Sequence, residues 1–168
     1  MSEQTPVDVI DSVLGLKPGS DLQRLRDRRE KLKALTQSSY AAALRPKDPR
    51  NFSHALRAAI AARMADLWKA EELARHYRGL LDQEGLTAEL QNVTDSGWTP
   101  ADAQSRLAAI LRHVDLVTLK PKEATRANIE ALYAGGLDDR DIVTLAGLIA
   151  FVNYQILVVA GLKMLRDN

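Results

Sequence analysis

The stretch from Leu137 to Leu165 limits the possible folds more than any other part of the chain. It opens on Asp138-Asp139-Arg140-Asp141 and then carries no formal charge from Ile142 to Leu162. A segment that apolar is hidden either in a bilayer or inside protein. Asn153, Tyr154 and Gln155 stand in its middle, where bare hydrocarbon would leave their polar groups unpaired. The expected structure is a long helix of a water-soluble protein, not a membrane span. It should be buried on most faces, by its own chain and by a partner subunit.

The rest of the composition agrees with helices. A chain of 168 residues makes one compact domain. Aromatic residues are only 5% of it, β-branched residues are not enriched, and Leu and Ala dominate. The net charge of +1 points away from nucleic acid. The cluster Arg24, Arg26, Arg28, Arg29, Lys31 and Lys33 is interleaved with Asp27 and Glu30, the pattern of a solvated helix face. Cysteine is absent, which removes disulfides, thiolate metal ligands and thiol chemistry together. The start, Met-Ser-Glu-Gln-Thr-Pro, has neither a basic region nor an apolar signal core, so a cytoplasmic location is expected.

Taken in order, Thr5-Pro6-Val7-Asp8 reads as an N-cap, a proline at the first helical position and an acid at N3, opening a short helix through Leu14. Ser20-Asp21-Leu22-Gln23 is a second capping box. The helix behind it holds Leu22, Leu25, Leu32 and Leu35 at helical spacing with charges between, and Thr36 to Ser39 is its weak point. Ser53 caps an alanine-rich helix with Leu56, Ile60, Met64 and Leu67 on one stripe. The polar Trp68 to Glu71 is a candidate kink, and Leu73, Tyr77, Leu80 and Leu81 carry the apolar face on to Gly85. Gly85 to Gly97 reads mostly as loop. Thr99-Pro100-Ala101-Asp102 caps the next helix, which ends near Thr118. A short helix holds Ile129, Leu132 and Tyr133, and Gly135-Gly136 ends it in the left-handed manner of C-cap glycines. Asp138 with Asp141 caps the last helix. The fold class is all-α, with about six or seven helices.

Two stretches carry a family resemblance. One is Ala58-Ala59-Ile60-Ala61-Ala62-Arg63-Met64-Ala65 followed by Leu73-Ala74-Arg75-His76-Tyr77. The other runs from Arg106 to Leu119 and on through Gly136-Leu137, Asp141-Ile142 and Phe151-Val152-Asn153-Tyr154-Gln155. Together they resemble the carboxymuconolactone decarboxylase and alkylhydroperoxidase D-like family, in its peroxidase-related branch. The resemblance covers about Arg57 to Leu162. It leaves residues 1–50 as an N-terminal helical extension to a core of 51–168. It implies an all-α bundle that assembles as a homo-oligomer, a trimer or hexamer.

The resemblance also implies a site, and there the chain departs from the pattern. Peroxidase members carry Cys-x-x-Cys-x-x-x-His at the start of a helix, with a glutamate upstream in a proton relay. Anchoring on His76 puts Lys69 and Glu72 at the cysteine positions and Arg57 near the glutamate. Peroxidatic attack needs a thiolate, so a thiol peroxidase is ruled out by composition. Lactone-decarboxylating members do not depend on a redox thiol pair, so acid–base chemistry on a small carbonyl or lactone substrate stays open. A non-catalytic ligand binder or structural oligomer is the alternative.

The remaining candidates are few. Glu72 and His76 are four apart on one helix face. A carboxylate beside the imidazole would raise its pKa and make an acid–base pair; an ordinary surface pair has the same spacing. Tyr77 is a possible phenol donor and also a natural core residue. Asn153 either lines a pocket beside His76 or, like Gln155, fixes helix packing across a subunit interface. His113 and Asp115 do not share a helix face, and His54 follows a cap and should be exposed. Three histidines without close spacing make no metal signature. No glycine-rich phosphate loop is present, so no cofactor is expected.

Overall fold

The computed structural model describes residues 8–167. Nine α-helices make up the described chain: α1 Val9–Val13, α2 Asp21–Asp27, α3 Glu30–Leu44, α4 His54–Leu67, α5 Glu71–Glu84, α6 Ala88–Val93, α7 Arg106–Leu119, α8 Arg126–Ala134 and α9 Asp139–Arg166. A single 3-10 turn, Pro121–Glu123, joins α7 to α8. The all-α class holds. The count exceeds six or seven because two expected helices are each divided and α6 forms inside the expected loop of Gly85 to Gly97.

The first division falls at Arg28–Arg29, between α2 and α3, not at Thr36 to Ser39. The polar Thr36 is buried, and its hydroxyl meets the Tyr154 hydroxyl at 3.0 Å. That tertiary contact carries α3 through its expected weak point. Leu25, Leu32 and Leu35, noted for their helical spacing, are about half exposed. The second division is at Trp68 to Ala70, where the polar break separates α4 from α5. Lys69 turns the chain with a left-handed φ of 55°, and the Ala70 N–H closes back on the Ala65 carbonyl at 2.8 Å. The unforeseen α6 is capped by Thr87, whose hydroxyl accepts from Leu90 N.

Three other expected boundaries move. Thr5, Pro6 and Val7 lie outside the described residues, and Asp8, expected at N3, is itself the cap of α1, accepting from Asp11 N at 2.9 Å. Thr99 does not cap α7. Asp102 folds the preceding residues into a turn by accepting from Gln104 N, and Ser105 becomes the cap. Of the glycine pair closing α8, only Gly136 is left-handed, at φ 82°.

The capping of α9 follows the sequence. Asp138 accepts from Asp141 N at 2.9 Å, and Asp141 accepts in return from Asp138 N at 3.1 Å. Arg50 and Asn51 also donate to the Asp141 carboxylate, at 2.9 and 2.7 Å. These donors satisfy a carboxylate that is fully buried.

The centre of the core is α4, not the last helix. Its alanines let neighbours approach closely, and ten of its residues, from Ala55 and Arg57 through Ala65, are buried. Its most extensive pairing is with α5, and α3, α6, α7 and α9 also pack on it. Helix α9 enters the core along one stripe, Leu145, Leu148, Ile149, Val152, Gln155, Ile156 and Val159. Its opposite face is bare in the single chain: Val143 is 71% exposed and Leu157 59%. Burial on most faces is therefore not achieved by this chain alone. Among the described residues, α9 is also the one helix long and apolar enough to cross a membrane.

Candidate functional site

The candidate residues Lys69, Glu72 and His76 straddle the α4–α5 turn. Lys69 lies in the turn, Glu72 in the first turn of α5, and His76 one turn further on. His76 forms part of the wall of a cleft of about 450 Å³ together with Tyr40, Arg45, Glu72, Arg75 and Gln83.

Within that cleft the partner of His76 is Tyr40, not Glu72. His76 Nε2 lies 2.9 Å from the Tyr40 hydroxyl, and the two rings sit 5.8 Å apart. Burial pushes the imidazole pKa below its ordinary value. This corrects the expected upward shift: Glu72 is engaged elsewhere, accepting from Lys163 Nζ at 2.6 Å with Arg166 at 3.9 Å. The Lys163 hydrogen bond holds the Glu72 carboxyl below the usual range. The Tyr40 phenol is pushed up to about 12, chiefly by burial. The site thus pairs a neutral imidazole with a phenol that keeps its proton at neutral pH.

The other candidates do not join them. Tyr77 is fully buried, and its hydroxyl donates to Gln155 Oε1. Gln155 Oε1 therefore has its partner within the chain. Its Nε2 has no partner among the described residues. Asn153 accepts from the Trp68 indole N–H at 3.3 Å and does not line the cleft. Lys69 lines a different cavity of about 580 Å³, which shares Arg75 and Gly79 with the first. Arg57 is buried and holds backbone: it donates to the carbonyls of Phe52, Ala43 and Pro49 at 2.9, 2.8 and 3.2 Å. It does not line the His76 cleft.

The remaining histidines are also occupied or sequestered. His54 is half-buried, not exposed, with Nε2 2.9 Å from the Pro46 carbonyl. His113 is buried, and its Nδ1 has no partner among the described residues; burial lowers its pKa. Among the described residues no group of three His, Asp or Glu side chains is placed to hold a metal ion.

Sequence reasoning missed two side chains. Tyr40 is 36 residues from His76, and no local pattern marks it. Arg63 is 1% exposed and forks onto Asp115, both contacts at 2.7 Å. It also donates to the carbonyls of Asp95, Ser96 and Trp98 at 2.7, 3.2 and 3.1 Å. An arginine in an alanine-rich helix was its only signal. No protein-family model, curated protein or solved structure matches this chain.

Proposed function

We propose that this chain is a cysteine-free member of the carboxymuconolactone decarboxylase and alkylhydroperoxidase D-like family. On this reading it performs acid–base chemistry on a small carbonyl or lactone substrate in the His76 cleft. The observation that carries the reading is the 2.9 Å contact between His76 Nε2 and the Tyr40 hydroxyl in the wall of an open cleft. Proton transfer needs groups within about 3.2 Å of each other or of the substrate, and this pair meets that distance. When a substrate comes between them, the neutral imidazole accepts a proton from it, and the phenol, released from the ring, donates its hydrogen bond to an oxygen that gains charge. Arg75 has no partner among the described residues and lines the same cleft, where it suits the carboxylate of a keto acid. Glu72 anchors Lys163 instead of orienting His76. The position of Lys69, Glu72 and His76 around the start of α5 is also where the family's motif sits. The test is turnover of a panel of small lactones and β-keto acids by the wild type and by His76→Ala; unchanged turnover in the variant removes His76 from the mechanism.

The bare face of α9 favours a second reading, a homo-oligomeric ligand binder or scaffold without catalysis. Val143 and Leu157 stand in water in the lone chain, and an apolar face of that kind is a docking surface. Assembly of the cytoplasmic protein as a trimer or hexamer fits both readings. Absence of turnover across the panel, with His76-dependent binding of the same compounds, selects the second.

A further inference from the structure

The geometry points to an elongated substrate for the His76 site: a keto acid whose far end carries an amide that passes Gly79 into the neighbouring cavity. The inference rests on the acid–base reading for the carbonyl end of that substrate only. It starts from a glycine that packing does not explain. Gly79 stands in the interior of α5, where glycine weakens a helix more than any residue except proline. A side chain added there meets nothing within 4 Å, so no neighbour needs the space. What the missing side chain leaves open is the boundary between two cavities. The His76 cleft of about 450 Å³ and the cavity of about 580 Å³ beside it share Gly79 and Arg75 as wall, one helical turn apart on the same face of α5. A ligand held at His76 therefore has a route past Gly79.

The second cavity sets the chemistry of the far end. Its wall comes from α4, α5 and the turn between them, and no residue of α9 belongs to it. Lys69, Arg75 and Arg78 bring positive charge to that wall, and Asp66, Glu71 and Asp82 bring as many negative charges. Some of these charges already answer one another. Asp66 accepts from Ser96 N at 3.0 Å and lies 3.5 Å from Arg78. Its carboxyl is held below the usual range chiefly by Ser96, with Lys69 and Arg78 adding to the effect. A phosphate or a second carboxylate in this space gains from one set of charges and loses to the other. An alkyl end takes water from the charged groups and returns no hydrogen bond. An amide is neutral and offers both a donor and an acceptor, so it meets both sets at once.

The experiment is calorimetric titration of the full chain with levulinate, 5-acetamido-4-oxopentanoate and 4-oxooctanoate. All are stable keto acids with the same head, and the alkyl end of the last matches the acetamide in length. The acetamide should bind the wild type about tenfold more tightly than levulinate, the scale of a hydrogen bond to a charged group, and more tightly than the alkyl compound. Gly79→Leu sets a side chain across the boundary with a residue that favours helix, and should erase the advantage of the acetamide over levulinate. Gly79→Ala adds only a methyl and should take part of it, with helical circular dichroism intact in both variants. An acetamide that gains nothing over levulinate in the wild type overturns the proposal, as does an advantage that does not shrink from glycine through alanine to leucine. So does an alkyl compound that binds as tightly as the acetamide, or an absence of binding of all the compounds at millimolar concentration. The acid–base reading falls separately, on unchanged turnover in His76→Ala; an acetamide advantage that Gly79→Leu erases supports the route past Gly79 whichever way that turnover goes.

Discussion

The Tyr40 hydroxyl lies 2.9 Å from His76 Nε2 and ties α3 to α5. The imidazole is shifted down and the phenol up, both chiefly by burial. In the tautomer with Nε2 unprotonated the phenol donates and the neutral ring accepts, a bond that favours the neutral imidazole over its conjugate acid. Tyr40→Phe removes the donor and keeps the bulk. The His76 pKa should then rise toward its ordinary value, as read from the ring proton shifts in an NMR titration. A pKa that stays put would mean that the phenol accepts from the ring, and the base assigned to the cleft would be lost.

His76 and His113 give the fold a pH dependence of definite sign. Both have folded pKa values pushed below the ordinary histidine value by burial. The unfolded chain therefore binds more protons as the pH drops, and the native state is penalised. Their contribution is intact above about pH 6.5, the unfolded value, and is lost as pH falls through the folded values. The melting temperature should decline between pH 7.5 and 5. His113→Leu, which also removes an Nδ1 that has no partner among the described residues, should flatten that decline and cost less than about 1 kcal/mol at neutral pH. A decline as steep as that of the wild type would clear His113 of any part in it.

Arg63 is the buried cation whose loss should cost most. Its fork on Asp115 and its bonds to the Asp95, Ser96 and Trp98 carbonyls fix the segment after α6 against α4. Lysine cannot reproduce a planar five-donor group. Arg63→Lys should lower the unfolding free energy by about 3 kcal/mol, measured by denaturant titration. Asp115→Asn should cost less, because the Asp115 side chain is 31% exposed and water substitutes for part of the pair.

The sequence announces what is local and apolar, and is silent on what comes together across the chain. The Asp138–Asp141 box and the Ser53 cap are visible because their partners lie three residues away. The α5 face of Leu73, Tyr77, Leu80 and Leu81 is visible because helical spacing alone places it inside. The site fails that test. Glu72 has the spacing to reach His76, but the end of α9 brings Lys163 to it from 91 residues away, and a full charge outcompetes a neutral ring. Thr36 to Ser39 reads as a breaker by propensity, and the contact with Tyr154 that overrides it is 118 residues distant. Helix α4 is the centre because a run of alanines permits close approach on every side, a property that one-sided hydrophobic spacing does not register.

Lys69 occupies a backbone position that favours glycine. Its φ of 55° is left-handed, which costs an L residue about 1 kcal/mol relative to glycine. The Lys69 side chain is exposed and makes no salt bridge among the described residues. Lys69→Gly should therefore raise stability by about 0.5–1 kcal/mol in denaturant titration, with the α4–α5 turn unchanged. Destabilisation instead would reveal a contact of the ammonium worth more than the backbone relief.

The outward face of α9 decides whether the chain works alone. A helix that only needs to close one core presents one apolar stripe and a polar back. Here the back is apolar too, with Val143 and Leu157 in water and Ala146, Gly147 and Ala150 beside them. The small residues permit a second helix to approach closely, and α3 adds half-exposed Leu32 and Leu35 along the same side. A stable protein interface covers about 800 Å² per partner, and a face along most of a 28-residue helix with a flanking one is of that order. Light scattering of the wild type should give a multiple of the 18.5 kDa chain mass. Leu157→Glu places a charge in the middle of that contact without touching the core stripe, and should return the mass to that of a single chain while leaving the helical circular dichroism intact. A wild type that stays monomeric at micromolar concentration in water would exclude self-association as the cover for this face.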